Sequence, residues 1–150
     1  MKKIFSLLLI LSILTGCFAS DQVGKPTKEV RSLEEAIELA GFSITLPTMI
    51  DGFDTITYKV DPDIMIEVTY ENNDDYIIIR KQPTKAEVNI SGHLNNEFSG
   101  SWGDGKYTIF HLYDQYYQES VWYKDGYSYS IYKKKTESQD YLYDLSKQVS

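Results

Sequence analysis

The feature that most constrains the fold is a series of segments in which apolar and polar residues alternate, with turn residues between them. Ile56, Tyr58 and Val60 alternate with polar residues, and similar patterns occur in residues 64–70, 86–90, 106–113, 117–123 and 127–132. A period of two is typical of β-strands, and strands that follow one another without intervening helices form antiparallel sheets. The unbroken apolar run within residues 76–81 is typical of a strand covered on both faces, which predicts that it lies at the sheet centre.

Helix signals occur only at the two ends of this strand-rich region. Ser32 and Glu35 have the spacing of a capping box, residues 33–40 carry apolar side chains at helical spacing, and Gly41 favours a left-handed end. The second predicted helix is capped near Thr136 or Ser138 and carries one apolar stripe, formed by Leu142, Leu145 and Val149. The sequence therefore predicts an α+β fold: a curved antiparallel sheet of about six or seven strands, flanked by an N-terminal and a C-terminal helix.

The N-terminus has the three parts of a secretory signal peptide, which predicts that residues 1–16 are removed. A basic start precedes the apolar residues 4–14, and this run is shorter than the roughly 20 residues of a membrane-spanning helix. Leu14-Thr15-Gly16-Cys17 resembles the lipobox of bacterial lipoproteins at all four positions. That resemblance implies cleavage before Cys17 and a diacylglyceryl group, with its palmitate-type acyl chains, on the Cys17 sulfur. The alternative is an ordinary secreted protein with an idle cysteine.

Residues 17–31 are polar and contain Gly24 and Pro26, which predicts a tether between the anchor and a single domain at residues 32–150. We therefore expect an extracytoplasmic protein that is attached to the cell membrane by lipid. The net charge of −7 argues against nucleic acid as a partner, because phosphate binding requires positive charge.

The sequence offers little for catalysis or for metal binding. The single cysteine excludes an internal disulfide and any multi-cysteine metal site. His93 and His111 are the only histidines, and no nucleophile-elbow motif accompanies them. Aspartates and asparagines at residues 61–63, 72–75 and 104 could bind calcium, but turn formation explains the same positions. We expect no enzymatic activity, no metal and no cofactor.

Aromatic residues are concentrated in the last third of the chain, and the sequence leaves two interpretations of them open. Trp122, Tyr127 and Tyr129 could form a binding face for a peptide, glycan or acyl chain, since these rings combine contact area with a polar group. They could equally be core residues of a half-buried sheet, because aromatic residues are common in strands.

Segments from Leu33 to Val149 resemble the uncharacterised domain of unknown function 4367 of Gram-positive envelope proteins. The resemblance is carried by residues 35–36, 41–42, 46–47, 66–70, 79–81, 90–92 and 121–131. It implies no activity, because none is assigned to that family. The same family is loosely similar to carrier folds in which a curved sheet holds an acyl chain.

Two functions follow as expectations. The first is a lipid-anchored, non-enzymatic binding or sensing module whose ligand is an unknown protein, peptide, glycan or lipid. The alternative is a carrier that shelters an acyl chain or a lipoprotein in the hollow of the sheet, and this function requires a continuous apolar cavity.

Overall fold

A computed structural model describes residues 24–86, 88–92, 97–103, 108–113, 117–134 and 139–150. The predicted lipid attachment at Cys17 and the predicted helix caps at Thr136 and Ser138 lie outside the described residues. The elements, in chain order, are β1 (Lys28–Val30), α1 (Leu33–Ala40), β2 (Thr55–Asp61), β3 (Met65–Glu71), β4 (Tyr76–Pro83), β5 (Glu97–Gly103), β6 (Thr108–Tyr113), β7 (Tyr117–Lys124), β8 (Tyr127–Lys134) and α2 (Gln139–Ser146).

The described strands form one antiparallel sheet in the order β1-β2-β3-β4-β8-β7-β6-β5. The α+β class, the antiparallel pairing and the central position of the strand in residues 76–81 are confirmed. The described part of the sheet has eight strands rather than six or seven. Strands β1 and β5 were not predicted, and residues 86–90, whose alternation suggested a strand, are irregular.

Strand β1 lies inside the segment that the sequence predicts to be a tether. It pairs with residues 58–60 of β2, so the ordered fold begins before residue 32. Only Val30 of this strand is buried, whereas Lys28 and Glu29 are exposed. A three-residue edge strand with one inward side chain is too short to produce a periodic pattern in the sequence.

Strand β5 includes most of residues 99–105, a stretch whose three glycines and two serines favour a loop. It forms the edge of the sheet opposite β1 and shifts register between Phe98 and Gly100, as at a β-bulge. Glycine is tolerated at an edge and at a bulge, so glycine content alone did not distinguish this strand from a loop.

Helix α1 forms where the sequence predicts it. The Ser32 hydroxyl accepts a hydrogen bond from the Glu35 N–H (3.3 Å), and the Glu35 carboxylate accepts one from the Arg31 N–H (3.0 Å). The capping interaction therefore reaches one residue further back than in a capping box. At the other end Gly41 has φ 74° and donates to the Ile37 carbonyl (3.0 Å), which ends the helix in the left-handed conformation.

Replacing Ser32 by alanine should lower the free energy of unfolding by about 1 kcal/mol, because the Glu35 N–H then loses its partner. Urea denaturation of the full chain measures the change. Ser43→Ala, at an exposed serine outside the helix, is the control and should change stability by less than about 0.5 kcal/mol. Equal losses in the two variants would contradict this role for Ser32.

Asp125-Gly126 forms the turn between β7 and β8, and an Asp-Gly pair between two alternating segments is a strong hairpin signal in a sequence. Asp125 and Gly126 both have positive φ, 51° and 86°, as a type I′ turn requires. The hairpin fixes which residues of the two strands lie opposite each other, including Trp122 opposite Tyr129.

The hydrophobic core lies on one face of the sheet. The strand residues of the core cluster occupy matching register positions on this face, from Val60 and Ile66 in β2 and β3 to Ile131 in β8. Helix α1 contributes Ala36 and Ala40 to the same cluster, and the C-terminal region contributes Leu142, Leu145 and Val149. The three C-terminal residues are those of the predicted apolar stripe, which is confirmed as a buried face.

The opposite face of the sheet is polar at its centre and is crossed by residues 84–86 and 88–92, which we call the crossover segment. The Ser128 hydroxyl lies within hydrogen-bond distance of the Thr84 hydroxyl (2.8 Å), the Val88 N–H (3.1 Å) and the Ala86 carbonyl (3.3 Å). The Asn89 amide donates to the Glu119 carboxylate (2.8 Å). The segment is therefore attached to β7 and β8 by side-chain hydrogen bonds.

Candidate functional site

The structure places the predicted aromatic binding residues in the core. Trp122 and Tyr129 are 1 % and 2 % exposed, and their rings stack with centroids 5.0 Å apart and an interplanar angle of 2°. Tyr127 is half-buried, and its ring lies 5.4 Å from that of Phe42. The interpretation of Trp122 and Tyr129 as an exposed binding face is therefore corrected. These two rings point to the helix-covered face, where they exclude water rather than present a surface.

Lys81 lies beside these rings at the same end of the sheet. Its Nζ is 4.4 Å from the centre of the Tyr127 ring and 5.0 Å from that of Tyr129. Burial lowers the pKa of Lys81, and burial likewise raises the pKa of Tyr129 to about 12. The two ring faces stabilise the ammonium group that burial disfavours, so we interpret Lys81 as a structural cation.

The residues considered for catalysis and for calcium do not form a site in the described part of the chain. His93 and Asp104 lie outside it, as does the side chain of His111 in β6. In the turn after β3, the Asn72 side-chain oxygen accepts hydrogen bonds from the N–H groups of Asp74 and Asp75 (2.8 Å each). These hydrogen bonds stabilise the turn, which explains the polar residues at these positions. Among the described residues, no three histidine, cysteine, aspartate or glutamate side chains are placed to hold a metal ion.

The candidate binding site is a cleft between residues 47–51 and α2, which we call the α2 cleft. Its volume is about 260 Å³. It is lined by Pro47, Met49, Ile50, Asp51, Tyr141, Asp144, Leu145 and Gln148. Ile50 and Leu145 are buried, whereas the Met49 side chain is 75 % exposed at the rim of the cleft.

Long-range contacts fix both walls of the α2 cleft. On one side the buried Tyr70 hydroxyl donates to the Pro47 carbonyl (2.7 Å), and burial raises the pKa of Tyr70 to about 12, so the donor stays protonated. The backbones of Thr45 and Ser150 exchange two hydrogen bonds (2.6 and 3.3 Å), which joins the C-terminal residues to the opposite wall. The cleft is consequently supported by contacts between segments that are distant in sequence.

Beneath the cleft, a buried cation supports Tyr141. The Lys133 Nζ pairs with the Asp75 carboxylate (2.6 Å) and lies 5.7 Å from the centre of the Tyr141 ring and 5.5 Å from that of Phe53. Lys133 itself is 2 % exposed, so its positive charge interacts with groups inside the protein and not with solvent.

No match was found when the chain was compared with protein-family models, with curated proteins and with solved structures. The resemblance to domain of unknown function 4367 therefore stays a prediction from the sequence. Among the described residues, no helix is long and apolar enough to cross a bilayer.

The side chains of the α2 cleft are suited to binding a ligand. Asp51 and Asp144 are exposed and place carboxylates beside apolar lining residues such as Met49, so the mixed surface of the cleft combines negative charge with apolar contact. Asp144 also pairs with Lys147 (2.6 Å), but this pair is exposed and therefore weak. No local sequence pattern indicates this site, because its residues come from a loop and a helix almost 100 positions apart.

Proposed function

We propose that this chain is a lipid-anchored extracytoplasmic binding module, and that the α2 cleft binds a short cationic segment of a ligand. The observation that carries the proposal is the exposed Met49 side chain in a hollow flanked by Asp51 and Asp144. The ligand chemistry follows from complementarity: a lysine or arginine pairs with a carboxylate while a neighbouring apolar side chain covers Met49. The anchor is the predicted lipid on Cys17.

The packing favours this function over the carrier function. A carrier needs a continuous apolar cavity for an acyl chain, whereas side chains of strands β1 to β4, β7 and β8 and of both helices form a packed core on the helix-covered face. Both helices contribute to a single core cluster against one face, and this supports the expectation that the sheet curves around them.

Binding to the α2 cleft can be tested with a five-residue peptide that alternates lysine and leucine. The full chain in non-ionic detergent is titrated against the fluorescein-labelled peptide, and anisotropy reports binding. In the double variant Asp51→Asn, Asp144→Asn the affinity should fall about tenfold at low salt, because each exposed charge contact contributes about 0.7 kcal/mol.

The matched control removes two exposed acids that do not line the cleft, Glu38→Gln and Asp63→Asn. This variant has the same net charge as the cleft variant and should bind the peptide nearly as well as the wild type. An equal loss in both double variants would show general charge attraction instead of a site. A peptide in which glutamine replaces lysine should bind weakly to all three proteins.

A further inference from the structure

One edge of the sheet is only half covered. Strand β2 comprises Thr55–Asp61, but β1 pairs with it only at residues 58–60. On the outer side of residues 55–57, the described part of the chain places no strand. Every second residue of a strand directs its N–H and C=O groups toward the same neighbour, so this stretch has main-chain donors and acceptors that no described strand pairs.

The two edges of the sheet differ in how they are protected against strand addition. Strand β5, at the far edge, has a register irregularity between Phe98 and Gly100, and bulges of this kind discourage pairing with another chain. Residues 55–57 are Thr-Ile-Thr, with no charge and no proline, and their pairing with β3 is regular. The sequence of this stretch has the β-branched residues that favour a further strand.

A groove of about 460 Å³ lies where β1 ends and β2 is left open. Its lining residues are Glu29, Val30, Arg31, Ile56, Thr57 and Tyr58. Ile56 and Tyr58 lie on the same face of β2 and are half-buried, so an incoming apolar side chain would meet apolar surface there. Glu29 and Arg31 carry opposite charges, so the groove favours neither sign.

We propose that this groove, which we call the β2 edge groove, is a strand-addition site for an extended peptide of a partner protein. The peptide pairs with residues 55–57 in line with β1 and places an apolar side chain against Ile56 and Tyr58. Main-chain hydrogen bonds supply affinity, and the groove selects the side chain. This site is separate from the α2 cleft and does not depend on the function proposed for it.

A peptide suits the groove better than a second copy of the chain does. If two copies of the chain paired through their β2 strands, the β1 strand of each copy would occupy the positions beside residues 58–60. The pairing would then be limited to residues 55–57. An interface of three residue pairs is far smaller than a stable dimer needs. A peptide carries no flanking structure and can also fill the groove at the end of β1.

Amide hydrogen exchange of the full chain, with an eight-residue peptide that alternates valine and threonine, tests the proposal. The edge-facing amides within residues 55–57 should exchange about tenfold more slowly at a peptide concentration ten times the dissociation constant. The amides of β5 should not change. The same peptide with an N-methyl group on every residue is the control and should give no protection, because it has no main-chain N–H to donate along either edge.

Three outcomes would overturn the proposal. The first is unchanged exchange within residues 55–57, and the second is protection of β5 instead. The third is protection of residues 55–57 that rises with protein concentration in the absence of peptide, since this would identify a second copy as the occupant. The Asp51→Asn, Asp144→Asn variant should retain the protection, so failure of the α2 cleft and failure of the β2 edge groove are distinguishable.

Discussion

Replacing Arg80 by methionine should lower the free energy of unfolding by about 3–5 kcal/mol, because it leaves the Glu67 carboxylate buried without its cation. The Arg80 and Glu67 side chains are 2 % and 7 % exposed, and the Arg80 Nε and Nη2 atoms each lie 2.7 Å from the Glu67 Oε2. The Arg80 Nη1 also donates to the carbonyls of Ile90 (3.0 Å) and Ser91. One side chain thus neutralises a buried acid and attaches the crossover segment to the sheet.

Denaturant unfolding of the full chain measures this loss, and Lys147→Met is the matched control. Lys147 pairs with Asp144 at 2.6 Å, but the two side chains are 49 % and 65 % exposed, so the same cation-to-methionine change should cost less than about 1 kcal/mol. In the double variant Glu67→Leu, Arg80→Met, the loss should be smaller than in Arg80→Met alone, since no unpaired charge remains. A loss below about 1 kcal/mol in Arg80→Met would contradict the structural role of the pair.

The crossover segment provides a second readout of the same variant. In Arg80→Met the carbonyls of Ile90 and Ser91 lose their donor, so amide exchange in residues 88–92 should accelerate more than exchange in the adjacent strand β4. Uniform acceleration throughout the sheet would indicate global destabilisation without a specific role in holding this segment.

What the sequence predicts correctly is what local periodicity and turn chemistry determine. Helix α1 is set by Ser32 and Gly41, and the β7–β8 hairpin by the Asp125-Gly126 pair, so each can be predicted from a few adjacent residues. The two edge strands escape prediction because strand β1 is too short to alternate and strand β5 contains glycine at a bulge. Their pairing depends on partners distant in sequence.

The candidate sites escape prediction for a related reason. Alternation shows that Trp122 and Tyr129 share a face with their strand neighbours, but it does not show which face the helices cover. The α2 cleft and the β2 edge groove are both surfaces that the other described segments of the chain leave uncovered. This is a property of the tertiary fold, and exposed residues such as Met49 have no distinctive local pattern.

Replacing Cys17 by serine should move most of the protein from the membrane fraction to the soluble fraction. The resemblance of residues 14–17 to the lipobox implies acylation of the Cys17 sulfur, and two or more acyl chains would give stable attachment at about 0.8 kcal/mol per buried methylene. The expected change is large because the acyl chains are the proposed means of attachment. The net charge of −7 adds no attraction to anionic lipid.

Membrane fractionation of the full chain, together with the mass of the purified protein, measures the effect. Ser20→Ala is the control, since it changes a neighbouring hydroxyl and leaves the thiol in place; its distribution and its acyl mass should match those of the wild type. If Cys17→Ser stayed as membrane-associated as the wild type, the lipid-anchor proposal would be wrong. If the anchor is found, the eleven residue steps from Cys17 to Lys28 allow the start of β1 to lie at most about 40 Å from the lipid attachment.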